Sequence, residues 1–537
     1  VFAAFIRKEL LAHLGGFPFA FLTLVTLVMA FLSTQVSVER YQLRVESYRQ
    51  QVQAEAERLA RLPTYSFLQP RALRPPEPLA VFDPGVMEGL GGEVKIHLFA
   101  VPTAADAQGG QGTDGMGAFQ GLGLTAVVRG LLGLLALLLT FDAFVGERQR
   151  GTLRLILANP VPRGLILAGK WAGGMTTLAL PLLGAWLLTT GMMVFAGGMA
   201  PAMAWNPRSL ALGVLYLLYL GVMLLLGLTI SLHARSAATA LGLCLLLWLV
   251  AVFLLPHGGA PPSSGTTAGA EGETARQMAG LRQERDERLA TLWREHPLRV
   301  EPGAFSSAYL RRFADGAVLR RFGSRPYYEA LQEYHGAAVP LVAEYAARID
   351  ALRGAGATAA SAGPSFIAPP AMPWAALSPA ALLDPLSRAL AGTSVADQQR
   401  FLAACREYRQ ALLDHLRDQG AFTSWRWFTD DPPDALYPWP RFLDRDPAAV
   451  PPTEVDALFN RLREPAVQAA LLQRLETMEA DPRRRIPIDD LPPLRIPPPG
   501  LGNILVTHAP EGAALGAWAT LLALLAWRRC RHYEVGE

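Results

Sequence analysis

Residues Phe141 to Trp171 read FDAFVGERQRGTLRLILANPVPRGLILAGKW, and this stretch decides the fold class. An apolar run, Leu122 to Phe144, leads into it, and another, Ala172 to Ala196, follows. What lies between them sits in water or at a membrane surface. Its basic residues, Arg148, Arg150, Arg154, Arg163 and Lys170, mark that side as cytoplasmic. Thr152 to Ala158 alternates apolar residues with Arg154 and suits a short surface helix. Pro160 and Pro162 then stop it, because proline cannot continue the backbone bonds.

The composition agrees with a membrane chain. Of 537 residues, 51% are hydrophobic and 18% charged, high and low respectively for a soluble protein. A net charge of +3 argues against nucleic acid as a partner. Lys8, Lys95 and Lys170 are the only lysines, and with abundant Ala, Leu, Pro and Gly this points to a GC-rich bacterial genome. Cys244 lies in an apolar run, Cys530 follows basic residues, and only Cys405 falls in a large polar region, so no disulfide framework is available there.

Outward from the loop, the apolar runs give about six spans with both ends inside. They are expected at residues 19–36, 122–144, 172–196, 209–232, 237–255 and 512–527. The last is short for ~30 Å of hydrocarbon, so it sits in a thinned region or begins before Pro510. Residues 1–14 place Phe2, Ile6, Leu10 and Leu14 on one stripe. They predict an amphipathic helix in the inner interface, or the frayed start of the first span. No small-residue cleavage site follows residues 19–36, so they are read as a span and not a signal peptide. In the cytoplasm this topology places the loop 145–171, the turn His233 to Ser236 with Arg235, and the tail 528–537.

Two insertions fall outside, 37–121 and 256–511. In the first, Val38, Tyr41, Val45, Tyr48, Val52, Leu59 and Leu62 follow a 3-then-4 spacing interrupted by Glu55, a seam for one partner helix or a solvated stalk. Glu93 to Phe99 is strand-like. In the second, Met278, Leu281, Leu289 and Leu292 predict a helix that pairs with residues 38–62. Further helices are expected over 327–352 and over 395–416, where Phe401, Cys405, Tyr408 and Leu412 form the buried face. The fold class is thus an α-helical polytopic membrane protein with a large, mainly helical extracytoplasmic domain built from two insertions.

Two segments resemble a known family. Glu147-Arg148-Gln149-Arg150-Gly151-Thr152-Leu153, then Pro160-Val161-Pro162-Arg163 and Gly169-Lys170, is similar to the loop after the second span of ABC-2-type transporter permeases. Ser378 to Pro385, Ala391 to Ser394, Phe401 and Tyr408-Arg409 resemble a branch of that family with a large outside insertion before its last span. The resemblance implies a coupling helix that docks on a separate ABC ATPase subunit. Glu147, Arg148, Arg150, Gly151, Thr152, Leu153, Arg154 and Arg163 would form the contact, with His233 and Arg235 as a second one. It also implies two permease copies, or a copy and a homologue, with two ATPase subunits that hold ATP and magnesium. The location would be the bacterial inner membrane, among lipid, with a periplasmic protein as a possible further partner.

Chemistry on the chain itself has little to start from. Gly164 to Lys170 has the glycine frame of a phosphate loop, but Trp171 stands where Ser or Thr would hold magnesium, and no strand precedes it. His257, His296, His335, His415 and His508 are scattered, without zinc-type pairing. No cofactor on this chain and no enzyme activity of its own are expected. Arg129, in the outer third of the second span, either lines a path or snorkels to the headgroups. Pro181 is expected to kink the third span. Trp425, Trp427, Tyr437 and Trp439 either line a ligand groove or pack an irregular, proline-rich segment. The expected function is the permease subunit of an ATP-driven exporter. The alternative is a mechanotransmitting permease whose outside domain acts on an envelope partner with nothing crossing the bilayer.

Overall fold

A computed structural model of the chain describes residues 2–62, 64–85, 92–98, 123–153, 162–255, 265–295, 307–312, 318–323, 325–359, 378–427 and 485–531, with a few single positions between 464 and 480. Six of its helices are long and apolar enough to cross a membrane.

The first of them runs well beyond the length of a span. Helix α1 (Phe2–Leu14) is followed by α2 (Phe17–Ala60), 44 residues in one piece. No glycine or proline occurs from Phe19 to Leu62, so nothing interrupts the backbone ladder as the sequence turns from apolar to charged. The expected span and the expected stalk are therefore one rod. At ~1.5 Å per residue it is about 65 Å long, roughly twice the ~30 Å hydrocarbon core.

The remaining spans are α3 (Leu124–Gln149), α4 (Arg163–Phe195), α5 (Pro207–His233), α6 (Ala237–Leu254) and, at the end of the chain, α12 (Ala509–Arg531). The last has 23 residues and so reaches across without thinning, because it begins at Ala509 with Pro510 in its first turn. Pro181 is buried inside an unbroken α4. A main core cluster among the spans includes Leu132, Leu137, Leu178, Trp186, Leu215, Tyr216, Tyr219 and Leu224. Glycine sets the closest approaches: a Cβ on Gly227 of α5 would stand 2.0 Å from Thr140 Oγ1 of α3. Thr34 of α2 meets Thr189 of α4 at 2.9 Å, an inter-helix hydroxyl pair inside the bundle.

Beyond the spans, the two insertions pack on each other in two clusters. Strand β1 (Arg71–Leu73) pairs antiparallel with β2 (Glu93–Lys95). Helix α7 (Gly265–Glu295) leads to the hairpin β3 (Ser307–Arg312) and β4 (Val318–Gly323), then α8 (Arg325–Ala359), α9 (Pro379–Ala391) and α10 (Val395–Asp418). Helix α11 (Leu501–Thr507) precedes the last span. Leu62, Tyr65 and Leu68 from the first insertion join Leu412, Leu416, Phe422, Trp427 and Ile486 from the second. Ala72, Val94 and Ile96 pack on Phe401 and Cys405 of α10. Glu55, which breaks the apolar seam of α2, is buried and takes Arg58 at 2.8 Å and the Arg71 backbone N–H at 3.0 Å. The carboxylate that interrupts the stripe thus ties the rod to strand β1.

The expected pairing of residues 38–62 with the helix at 278–292 is corrected. Helix α7 lies along α8, where the Tyr345 hydroxyl donates to Glu284 at 2.6 Å and Trp293 meets Tyr334 edge-on at 5.0 Å. Val52 stays exposed. Trp427 is also corrected as a ligand surface: it is buried 5.0 Å from the Phe422 ring. Trp425 lies in the turn at 425–427, and Tyr437 and Trp439 lie outside the described residues.

Asp83, in the first insertion between β1 and β2, is buried. It accepts from Ser387 Oγ at 2.5 Å and from the Gly85 N–H at 3.1 Å. Burial holds its carboxyl above the ordinary range, with Asp384 adding to this and Arg388 and Ser387 opposing it. A raised carboxyl pKa contributes stability at low pH that is lost as pH rises through the folded value. Asp83→Asn is therefore expected to raise the thermal midpoint at pH 8 more than at pH 5, measured in detergent. A gain equal at both pH values, or a loss at pH 8, would remove this account.

Candidate functional site at one end of the spans

The turn between α3 and α4 begins where α3 bends at 141–144 and resumes as the short helix Val145–Gln149. Its first N–H groups need acceptors that the helix cannot supply. Ser231 of α5 provides one: its Oγ accepts from Phe144 N at 3.0 Å and Val145 N at 3.2 Å. Gly151 ends the segment at φ +75°, a left-handed conformation that glycine adopts without strain.

Four charges meet behind this short helix. Lys170, with its side chain 3% exposed, places Nζ 3.1 Å from Glu9 Oε1 and 3.0 Å from Glu147 Oε1. Lys8 approaches the same Glu147 oxygen at 3.2 Å. Two lysines and two glutamates balance, as burial of charge requires. The cluster joins three elements, because Glu9 belongs to α1, Glu147 to the turn and Lys170 to α4. Close docking of α1 on α4 depends on Gly173, whose Cβ would stand 2.7 Å from Glu9 Cβ. His13 adds a contact to Thr177 Oγ1 at 3.3 Å.

Several expected contact residues are corrected by this geometry. Glu147 is buried among lysines and is not presented to a partner. Lys170, expected in the loop, is helical, as is the whole Gly164-to-Lys170 segment, which lies within α4. Leu153 is buried with Phe144, Ile166, Leu232 and Ala526. Arg163 donates to the Arg531 carbonyl at 2.7 Å and caps the end of α12. Arg148 donates to the Ala234 carbonyl and so joins the first turn to the second one, at 233–236. Arg154 lies outside the described residues.

What remains on the surface is a continuous shelf. Gln149, Arg150, Gly151 and Thr152 are exposed on one turn, and His233 and Arg235 on the other. The Arg150 side chain is 65% exposed and reaches Asp142 only at 3.8 Å. Thr152 Oγ1 donates to the Glu147 carbonyl at 3.3 Å, and His233 Nδ1 lies 2.8 Å from the Thr229 carbonyl. Lys8, Glu9 and Ser231 were not legible as site residues, since each acts through a partner far away in sequence. The one available signal was the isolated Lys170 itself, a rare lysine beside an apolar run.

Comparison with known proteins gives this end of the molecule a family. Residues 19–278 match the ABC-2 family transporter proteins. This part of the chain is an ABC-2 transporter domain. Within it fall the first five spans, both turns and the shelf. Residues 371–435, which hold α9 and α10, match a domain of unknown function, DUF3526. The chain is also similar to two proteins described as probable ABC transporter permease protein NosY. That of Pseudomonas aeruginosa is 48% identical over 60 residues, 11% of this chain and 22% of the relative. That of Stutzerimonas stutzeri is 41% identical over 91 residues, 16% of this chain and 33% of the relative. The chain therefore spans a third or less of the curated relatives it matches.

Proposed function

We propose that the chain is the permease subunit of an ATP-driven ABC-2 exporter of a bacterial inner membrane, moved by a separate ATPase subunit that holds ATP and magnesium. Both termini lie in the cytoplasm, and the insertions lie outside. A second copy of the permease, or a homologue, completes the assembly. The observation that carries this is the shelf. Two turns that are remote in sequence are fastened by Arg148 and offer Arg150 and Arg235 together, while Glu147 at its rear is bonded to Lys170 of α4 and, through it, to Glu9 of α1. A force applied to the shelf thus reaches a span and the interfacial helix directly. A ligand shifts such an equilibrium only by binding the two states unequally, so ATP acts through the motor's grip on this surface.

Charge reversal of Arg150 and Arg235 in the reconstituted complex is expected to lower permease-stimulated ATP hydrolysis about tenfold, equivalent to ~1.4 kcal/mol of lost contact. The thermal midpoint of the permease alone stays within a degree or two, because both side chains are exposed. Unaltered stimulation would place the motor contact elsewhere. Arg148→Glu is a poorer test, since it also unfastens the two turns.

The second reading, force transmission without passage of a substrate, draws on α2. The rod ends at Ala60, and Leu62 just beyond it sits in the core of the insertions, its carbonyl accepting from Ile486 N at 3.3 Å. A tilt at its inner end displaces the outside domain. Transport assays in vesicles separate the two readings.

A further inference from the structure

Helix α9 belongs to the outside insertion, yet it packs on α5, α6 and α12 at the outer end of the bundle. It is a finished unit. Ser378 caps its start, accepting from Ala381 N at 3.2 Å, and Gly392 ends it at φ +74°. One face buries Leu382, Leu383, Leu386, Ala389 and Leu390.

Its polar anchors all reach into other elements. Ser378 Oγ donates to the Ala251 carbonyl of α6 at 2.7 Å. Arg129 of α3 pairs with Asp384. Arg208, at the start of α5, donates to the Leu390 carbonyl at 2.9 Å, and Arg74 of the first insertion donates to the Gly392 carbonyl at 3.1 Å. These last two place positive charge at the negative end of the helix dipole.

Two of those anchors fall on unusual backbone. Arg129 lies in a π-helical turn, Val128–Leu132, and Ala251 in another, Val250–Leu254. Such a turn accommodates one extra residue and shifts the carbonyls out of the regular ladder. Side chains supply partners: the Tyr219 hydroxyl donates to the Arg129 carbonyl at 2.9 Å and Trp248 Nε1 to the Gly130 carbonyl at 3.1 Å. A π turn that reverts to α geometry rotates everything beyond it by one residue, about 100° at 3.6 residues per turn. It is a two-position element of the kind that conformational switches use.

We propose that α9 is a latch over the outer end of the spans, held by Arg129–Asp384 and Ser378–Ala251, and that the two π turns are where the spans release it. The latch gives the arginine of α3 a partner, Asp384, on the helix that covers it. It assigns to the domain of unknown function the task of closing the bundle from outside. It rests on the packing of α9 and is independent of any ATPase contact.

The test uses the full chain with Leu383→Cys as reporter, since Leu383 is fully buried and the native cysteines are buried as well. Maleimide labelling is expected to be slow in this background. It should be at least tenfold faster when Arg129→Gln or Asp384→Asn is added. It should become slow again in the charge swap Arg129→Asp with Asp384→Arg. Rates that are equal with and without the neutralising changes overturn the latch. So does a swap that labels as fast as the single changes, which marks general loosening. A membrane-permeant maleimide reads these ratios whichever side α9 faces, and an impermeant one reports the side. Failure of the latch and failure of the topology are thereby told apart.

Discussion

Replacing Lys170 by methionine is expected to destabilise the chain by about 3–5 kcal/mol, the range for removing one partner of a buried ion pair. The length of the side chain is kept, so the loss is of charge. Glu9 and Glu147 would then share an enclosed space with only Lys8 to offset them, and the Lys8 side chain is 53% exposed. Glu147 would keep Lys8 at 3.2 Å, but Glu9 would be left with the same lysine at 3.8 Å, beyond hydrogen-bond reach. The thermal midpoint in detergent measures the effect. Adding Glu147→Gln to Lys170→Met should return part of it, because the second change removes the charge that the first one stranded. A single-variant midpoint within a degree of the parent, or a double variant worse than either single one, would mean that the cluster does not hold α1, the turn and α4 together.

The second large effect is expected at Gly227. Alanine there places a Cβ 2.0 Å from Thr140 Oγ1 and 3.1 Å from Thr140 Cβ. The hydroxyl cannot simply swing aside, because it donates to the Ala136 carbonyl at 2.8 Å within α3. The two spans have to separate, and overpacking of this kind costs about 1–3 kcal/mol. Leucine at the same position should prevent assembly of α3 on α5. Thr140→Ala combined with Gly227→Ala should recover most of the loss, since the shortest contact disappears. Recovery measured as the thermal midpoint distinguishes this steric account from a general effect on α5. Additive losses in the double variant would refute it.

The fold was legible because a membrane span has to satisfy every backbone group within its own helix. Apolar runs of sufficient length therefore disclose the spans with little help from the rest of the chain. The continuity of α2 was also present in the sequence, as the absence of glycine and proline from Phe19 to Leu62, although polarity changes midway. The site was legible as a place but not as a surface. Residues 147–154 lie next to one another in the chain, yet Glu147 and Leu153 turn inward while Arg150 and Thr152 turn outward. Helical rotation and packing decide that, and a linear motif does not show it.

By itself, then, the sequence determined the spans and the long polar insertions between them, since hydrocarbon and water sort residues by local composition. Only the tertiary structure decided the partners of the isolated charges. Arg129 meets Asp384 across 255 residues, and Lys170 meets Glu9 across 161. A charge in a low-dielectric place takes whichever opposite charge the packing brings near. That neighbour is a property of the folded chain.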